Sequence, residues 1–226
     1  MPARSGSKRV PDKNIIPING KPLIHYTLEL CAGLKLFDDI IISTDSEHYA
    51  DVAKKVDGVS VDIRPIEFAQ DSSPDIDWVR YIVQRRDFDD DDALFILRPT
   101  SPLRDKDFIL SGWEKFSKAG RNYDSLRAVA EVDQHPAKMW SIIDGDLMPL
   151  YPFLSNDVPW HSNQSAILPK VYKQTASLEI VWGATIKQKH SLSGTRIMPH
   201  ICNGHNAFDI NTPDDLEYLK LLIAAS

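Results

Sequence analysis

The sequence predicts an α/β fold with a mainly parallel sheet. Short apolar runs alternate with amphipathic stretches between residues 22 and 132, which is the order of buried strands and covering helices. Several runs end in small polar residues and are apolar throughout, as strands covered on both faces are. With 226 residues, 42% of them hydrophobic, the chain is long enough for one large domain, or one domain plus a small subdomain.

The elements follow in order. Pro22 to Leu34 reads as an amphipathic helix, with Pro at an allowed first position and Gly33 near its end. Asp39 to Thr44 (DIIIST) reads as a buried strand, and Ser46 to Val56 as a helix with Ser46 as N-cap. Val59 to Ile63 is a strand, Asp75 to Arg86 a helix, Ala93 to Leu97 a strand, Asp105 to Lys118 a helix and Ser125 to Val132 a strand. From Gln134 to Gln174 prolines, polar residues and aromatics mix, including Trp140, Tyr151, Phe153, Trp160 and Tyr172. So apolar and irregular a stretch is expected to pack against something, as a subdomain that covers a substrate or pairs two subunits. Ser177 to Trp182 and Ile197 to Ile201 return to strand, and Thr212 to Ala224 is a terminal helix with Thr212 as N-cap. The expected domains are residues 1–133 with 175–226, and residues 134–174.

Net charge is −6, which argues against duplex nucleic acid as the main partner, because that binding needs a basic face. No apolar run reaches the length of a membrane span. Cys31 and Cys202, far apart, form no disulfide framework or zinc motif and read as buried thiols of a cytoplasmic protein. The histidines show no ligand spacing, and His135 before Pro136 reads as turn-forming. The acidic run Asp87 and Asp89 to Asp92 reads as a solvated loop.

One segment departs from the acidic average. Residues 1–21 carry Arg4, Lys8, Arg9, Lys13 and Lys21 against the single acid Asp12. Within PARSGSKRVPDKN, small residues Ser5, Gly6 and Ser7 let backbone N–H groups turn toward an anion, Arg4 forks two phosphate oxygens, and Lys13 adds a point charge. The spacing is neither that of a P-loop nor of the dinucleotide fingerprint.

The whole string resembles the N-terminal signature of the acylneuraminate cytidylyltransferases, the CMP-sialic acid synthetases. The resemblance continues in order through Asn19-Gly20-Lys21-Pro22-Leu23-Ile24, Ser43-Thr44-Asp45, Arg64-Pro65 with Ala69 and Asp71, Arg98-Pro99-Thr100-Ser101-Pro102-Leu103-Arg104, His135-Pro136 with Lys138, and Phe208-Asp209-Ile210-Asn211-Thr212-Pro213-Asp214-Asp215-Leu216. It implies a Rossmann-like nucleotide-binding domain with a dimerisation subdomain, a homodimer, and transfer of CMP from CTP to a nine-carbon sugar acid with Mg²⁺ as cofactor. By this resemblance Arg4, Lys13 and Asp209 are catalytic, and Ala3, Arg4, Ser5, Gly6, Ser7, Lys13, Asn14, Arg64, Ser72 and Ser73 bind nucleotide. Arg98, Thr100, Ser101, Arg104, Lys138 and Gln174 bind the sugar acid, and Asp209 and Asn211 hold the metal. Ser72 and Ser73 also fit a second reading, as caps of the following helix.

The chain differs from that family in four places. The apolar residues that precede PAR in the family have no counterpart before Met1, so the first strand is expected to be a stub or the terminus truncated. Arg98 stands where the sialate enzymes have Gln, and Asn211 replaces the second Asp of FDIDT, offering a metal a carbonyl without charge. QTASLEI, from Gln174 to Ile180, replaces a segment closer to QNGAIYI. With Arg98 it points to another nonulosonic acid, such as a legionaminic acid. The alternatives are a KDO-type cytidylyltransferase and an inactive nucleotide-binding module.

Overall fold

Residues 1–224 are described in a computed structural model; the last two residues of the expected 175–226 segment lie outside them. A single turn of 3₁₀-helix, Lys13–Ile15, leads to a hairpin of β1 (Pro17–Ile18) and β2 (Lys21–Pro22). Its two-residue turn, Asn19-Gly20, holds φ at 48° and 78°. That left-handed pair is the turn matched to strand twist, and Asn-Gly adopts it at little cost. Next come α1 (Leu23–Leu34), β3 (Ile40–Thr44), α2 (Glu47–Ala53), β4 (Val59–Ile63), α3 (Asp75–Arg85), β5 (Ala93–Ile96), α4 (Lys106–Ala119) and β6 (Ser125–Glu131). Four short strands follow: β7 (Trp140–Ile143), β8 (Asp146–Pro149), β9 (Leu154–Ser155) and β10 (Val158–Pro159). The chain closes with β11 (Tyr172–Trp182), α5 (Gly183–Lys189), β12 (Ile197–Ile201) and α6 (Pro213–Ala224).

Helix starts follow local chemistry. Ser46 caps α2 by accepting from the Tyr49 N–H, and Asp105 caps α4 by accepting from the Phe108 N–H at 2.7 Å. Thr212 and Asp215 cap α6 reciprocally, Asp215 Oδ2 accepting from the Thr212 N–H at 2.7 Å and Thr212 Oγ1 from the Asp215 N–H at 3.2 Å.

The α/β class is as expected, and its sheets are mixed. β3 and β4 pair in parallel from Ile40↔Val59 to Thr44↔Ile63. On the other edge of β3 the first strand is a stub: Pro2 bridges Ser43 in parallel, and Ala3 N–H donates to Ser43 O at 2.9 Å. The second sheet has the order β12-β6-β11-β5, with β11 antiparallel to β5. The antiparallel strand has a simple cause: β11 returns from the 134–174 excursion without a crossover helix, and a parallel pairing needs one. Buried Ala3, Ile24, Leu28, Ile42 and Tyr49 pack around β3, while Trp78, Val79, Ile82, Ile96, Val181 and Ile186 pack around β5 and α3.

The chain divides into two units, residues 1–128 with 175 onward, and residues 129–174. In the larger unit the acidic run is not merely solvated. The carbonyls of Asp92 and Asp90 accept from the Gly183 and Ala184 N–H groups at 2.8 and 3.0 Å, so this loop holds the start of α5. Asp124 accepts from Lys189 Nζ, the Thr195 N–H and the Arg196 N–H, which hold its carboxyl far below the usual range.

In the smaller unit β7 and β8 form a hairpin across Asp144-Gly145, with φ of 52° and 93°. His135 forms the turn expected of it, its Nδ1 accepting from the Ala137 N–H at 3.1 Å. This unit exposes many apolar side chains, among them Ile142 at 76%, Leu147 at 62% and Ile167 at 68%.

Candidate active site

The phosphate-type loop is pinned at three points. Ala3 is buried and tied to β3 through its N–H. Asp45, just past β3, accepts from both the N–H and Oγ of Ser5 at 2.8 Å. Asn14, at the far end, donates from Nδ2 to Arg4 O at 3.0 Å. The loop from Arg4 to Asn14 is thus closed on itself and fixed to the carboxyl end of a parallel strand, where open α/β sheets place ligands.

Beside it lies a cavity of about 460 Å³. Its lining includes Arg4, Ser7, Lys13, Asn14, Arg64, Ser73, Arg98 and Thr100 of the expected residues, and also Asp71, Asp75 and Trp78. Four cations, Arg4, Lys13, Arg64 and Arg98, face two carboxylates there. An anionic ligand is therefore favoured locally on a chain of net negative charge.

Each cation is held differently. Arg4 Nη2 donates to Asp71 Oδ1 at 2.6 Å, and Lys8 Nζ to Asp71 Oδ2 at 2.6 Å. Lys13 Nζ donates to Ile210 O at 2.7 Å; burial pushes its pKa down, against the pull of nearby Asp209. Arg64 is buried, its N–H donates to Thr44 O, and its guanidinium lies 5.6 Å from the Trp78 ring centroid. Its Nε makes no hydrogen bond among the described residues, and burial lowers its pKa. Arg98 Nη2 reaches Asp75 Oδ2 at 2.5 Å and Glu179 Oε1 at 3.2 Å.

The segment 209–211 is brought to this region by a hydrogen bond from the Ile210 N–H to Thr100 O at 2.9 Å. Asp209 Oδ1 is buried without a hydrogen-bond partner among the described residues. Its other oxygen accepts from Asn211 Nδ2 at 2.8 Å, which leaves the Asn211 carbonyl oxygen as the second hard donor. No group of three or more His, Cys, Asp or Glu suited to a metal occurs among the described residues.

Several expected residues fall elsewhere. Arg104 does not line the cavity. It is buried, donating to Ser177 O at 2.7 Å, Thr27 Oγ1 at 3.0 Å and Arg98 O at 2.8 Å, and burial pulls its pKa down to about 10. It braces the backbone of the Arg98–Arg104 turn instead of meeting a ligand. Ser101 is also buried, off the cavity lining, with its Oγ unpaired among the described residues. Ala3 and Ser5 act through the backbone anchors above, and Gly6 stands exposed with open space at its Cβ position. Ser72 is exposed and off the lining, and neither it nor Ser73 caps α3, whose N-cap is Pro74. Ser73 instead closes the preceding turn, accepting from the Gln70 N–H and donating to Glu67 O. Lys138 and Gln174 belong to the smaller unit: Lys138 Nζ donates to the carbonyls of His161, at 2.8 Å, and Asn163, and Gln174 is exposed. Asp71 stood in a quoted motif, but its pairing with a loop 67 residues earlier had no sequence signal. Asp75 and Glu179 read only as parts of a helix and a strand.

Fold and cavity together define an α/β protein with a cation-rich cavity at a parallel strand end. A profile of the cytidylyltransferase family matches residues 1–135, and the chain belongs to that family. It is 33% identical over 221 residues to a CMP-N,N'-diacetyllegionaminic acid synthase of Legionella pneumophila, covering 95% of this chain and 90% of that one. It is 31% identical to an N-acylneuraminate cytidylyltransferase of Streptococcus agalactiae over 76% of this chain but 46% of the relative, so it spans about half the length of such relatives. The structure of a CMP:2-keto-3-deoxy-manno-octonic acid synthetase superposes with a TM-score of 0.69 at 15% identity, covering 99% of this chain and 96% of that one. At that identity the likeness concerns the fold.

Proposed function

We propose that the protein joins CTP and a nonulosonic acid to give a CMP-sugar and pyrophosphate. The observation that carries this reading is the cavity at the pinned loop, where Arg4, Lys13 and Arg64 gather beside Ser7 and Asn14. In the reaction the sugar's anomeric hydroxyl gives up its proton to solvent as its oxygen bonds to the α-phosphorus, and the bond from that phosphorus to the pyrophosphate oxygen breaks. Catalysis is then chiefly alignment and neutralisation of charge. Arg4 and Lys13 hold the triphosphate and the negative charge that grows on pyrophosphate; Arg64, Asn14 and Ser73 hold the nucleotide from the cavity wall.

Asp209 and Asn211 fit Mg²⁺, a hard ion, through one unpaired buried carboxylate oxygen and one amide carbonyl. Two protein donors leave most of the ion's shell to phosphates and water, as Mg²⁺ prefers, and the bound ion would neutralise phosphate charge.

For the acceptor, the match to the Legionella protein over nearly both whole chains, with Arg98 in the cavity, supports a legionaminic-type acid. A higher kcat/KM for diacetyllegionaminate than for N-acetylneuraminate is expected; the reverse order would remove this part of the reading. The exposed apolar face of the smaller unit supports a homodimer, since single-chain surfaces rarely expose so many large apolar side chains together. Sedimentation giving a monomer at micromolar concentration would contradict it. The two buried cysteines, not joined in a disulfide, and the use of CTP suit the cytoplasm. Among the described residues no helix is long and apolar enough to cross a membrane.

A further inference from the structure

Arg98 sits in an alternating chain of charges. Asp75 lies 2.5 Å and Glu179 3.2 Å from the same nitrogen, Nη2, and Glu179 is shared with Arg127 at 3.0 Å. Glu179 is buried, with its side chain 4% exposed, and Asp75 is also fixed by the Trp78 indole N–H at 2.8 Å. Two carboxylates on different elements, α3 and β11, therefore clamp one corner of a planar guanidinium. Its Nη1 and Nε make no hydrogen bond among the described residues, and the residue lines the cavity.

The chain Asp75–Arg98–Glu179–Arg127 sums to zero charge. A carboxylate brought to Arg98 would gain attraction from one cation and meet repulsion from Asp75 a few ångströms away, so little net charge preference remains. A neutral acceptor loses nothing by this arrangement and still gains a charge-assisted hydrogen bond from a fixed donor pair. Arg64, by contrast, has no ion-pair partner within hydrogen-bond reach among the described residues, and Arg4 shares its single carboxylate, Asp71, with Lys8.

We propose that Arg98 is a specificity-determining residue that reads a neutral acceptor on the sugar acid, the carbonyl of an N-acyl group, and that Asp75 and Glu179 are the positioning residues that fix and neutralise it. The inference rests on the cytidylyltransfer reading above. It assigns the acid's own carboxylate to another part of the site.

The test compares two sugar acids of equal ring size, one N-acylated and one with hydroxyls in the same places, using wild type, R98K, D75N and D75E. Wild type favours the acylated acid. In R98K and D75N that preference falls about tenfold, through KM for the acylated acid while kcat holds, and KM for CTP moves little. D75E restores most of the preference. Equal use of both acids by wild type, an unchanged preference in R98K and D75N, or a loss in kcat alone would overturn the role given to Arg98. Formation of no CMP-sugar by wild type with either acid would overturn the transfer reading itself, and the role of Arg98 with it.

Discussion

Arg4 Nη2 and Asp71 Oδ1 lie 2.6 Å apart, so the arginine of the anion loop is already paired with a carboxylate across the cavity wall. Lys8 pairs with the other oxygen of the same group, and the two cations hold the Asp71 carboxyl below its ordinary pKa, Lys8 contributing most. On the proposed reading, an incoming triphosphate takes Arg4 from Asp71. D71N is expected to bind CTP about two- to fivefold more tightly, the range of an exposed ion pair, as read by calorimetry. R4A is expected to lose about 100- to 1000-fold in kcat. Weaker CTP binding in D71N would mean that Asp71 aligns Arg4 and does not compete for it.

Lys13 gives the pH dependence. Burial lowers its pKa, so its positive charge, proposed to hold phosphate, is lost at lower pH than for a free lysine. KM for CTP should therefore rise with pH before the ordinary lysine range near about 10.4 is reached. K13R, with a guanidinium that stays charged, should remove that rise. The same alkaline rise in K13R would assign it to another group.

Asp209 and Asn211 test the metal reading. D209A removes the one unpaired buried carboxylate oxygen of this segment and should abolish most turnover at any Mg²⁺ concentration. N211D adds a second charged donor and should lower the Mg²⁺ concentration for half-maximal rate. Equal Mg²⁺ dependence in wild type, D209A and N211D would move the metal away from this segment.

Arg104 should behave as a structural residue. R104M leaves Ser177 O, Arg98 O and Thr27 Oγ1 without their donor, at a cost of roughly 2–4 kcal/mol. Each kcal/mol is worth about 2–4 °C in a chain of this size, so Tm should fall by roughly 4–16 °C. An unchanged Tm with a collapsed KM for the sugar acid would return Arg104 to the site.

Much of the fold was legible, because it is written in local pattern. DIIIST, ALFIL and the capped helices at Ser46, Asp105 and Thr212 stand where periodicity and caps put them. The start of α5 was not, because its first N–H groups bond to the carbonyls of Asp90 and Asp92, some ninety residues earlier in the chain, with no side-chain cap. The β7–β8 hairpin did have a signal, Asp144-Gly145 between WSII and DLMP, which the surrounding prolines and aromatics obscured. In the site, the loop and its cations were readable from charge and spacing. The burial of Arg104 and Ser101, and the carboxylates that hold Arg4 and Arg98, depend on contacts between distant segments and leave no local trace.

On the proposed reading, this site transfers CMP. Phosphorus NMR of the protein with CTP, Mg²⁺ and diacetyllegionaminate or N-acetylneuraminate measures it directly. A new phosphodiester signal and pyrophosphate are expected to appear in equal amounts, both lost in R4A. CTP left unchanged with every nonulosonic acid offered, while CTP binding persists, would contradict it.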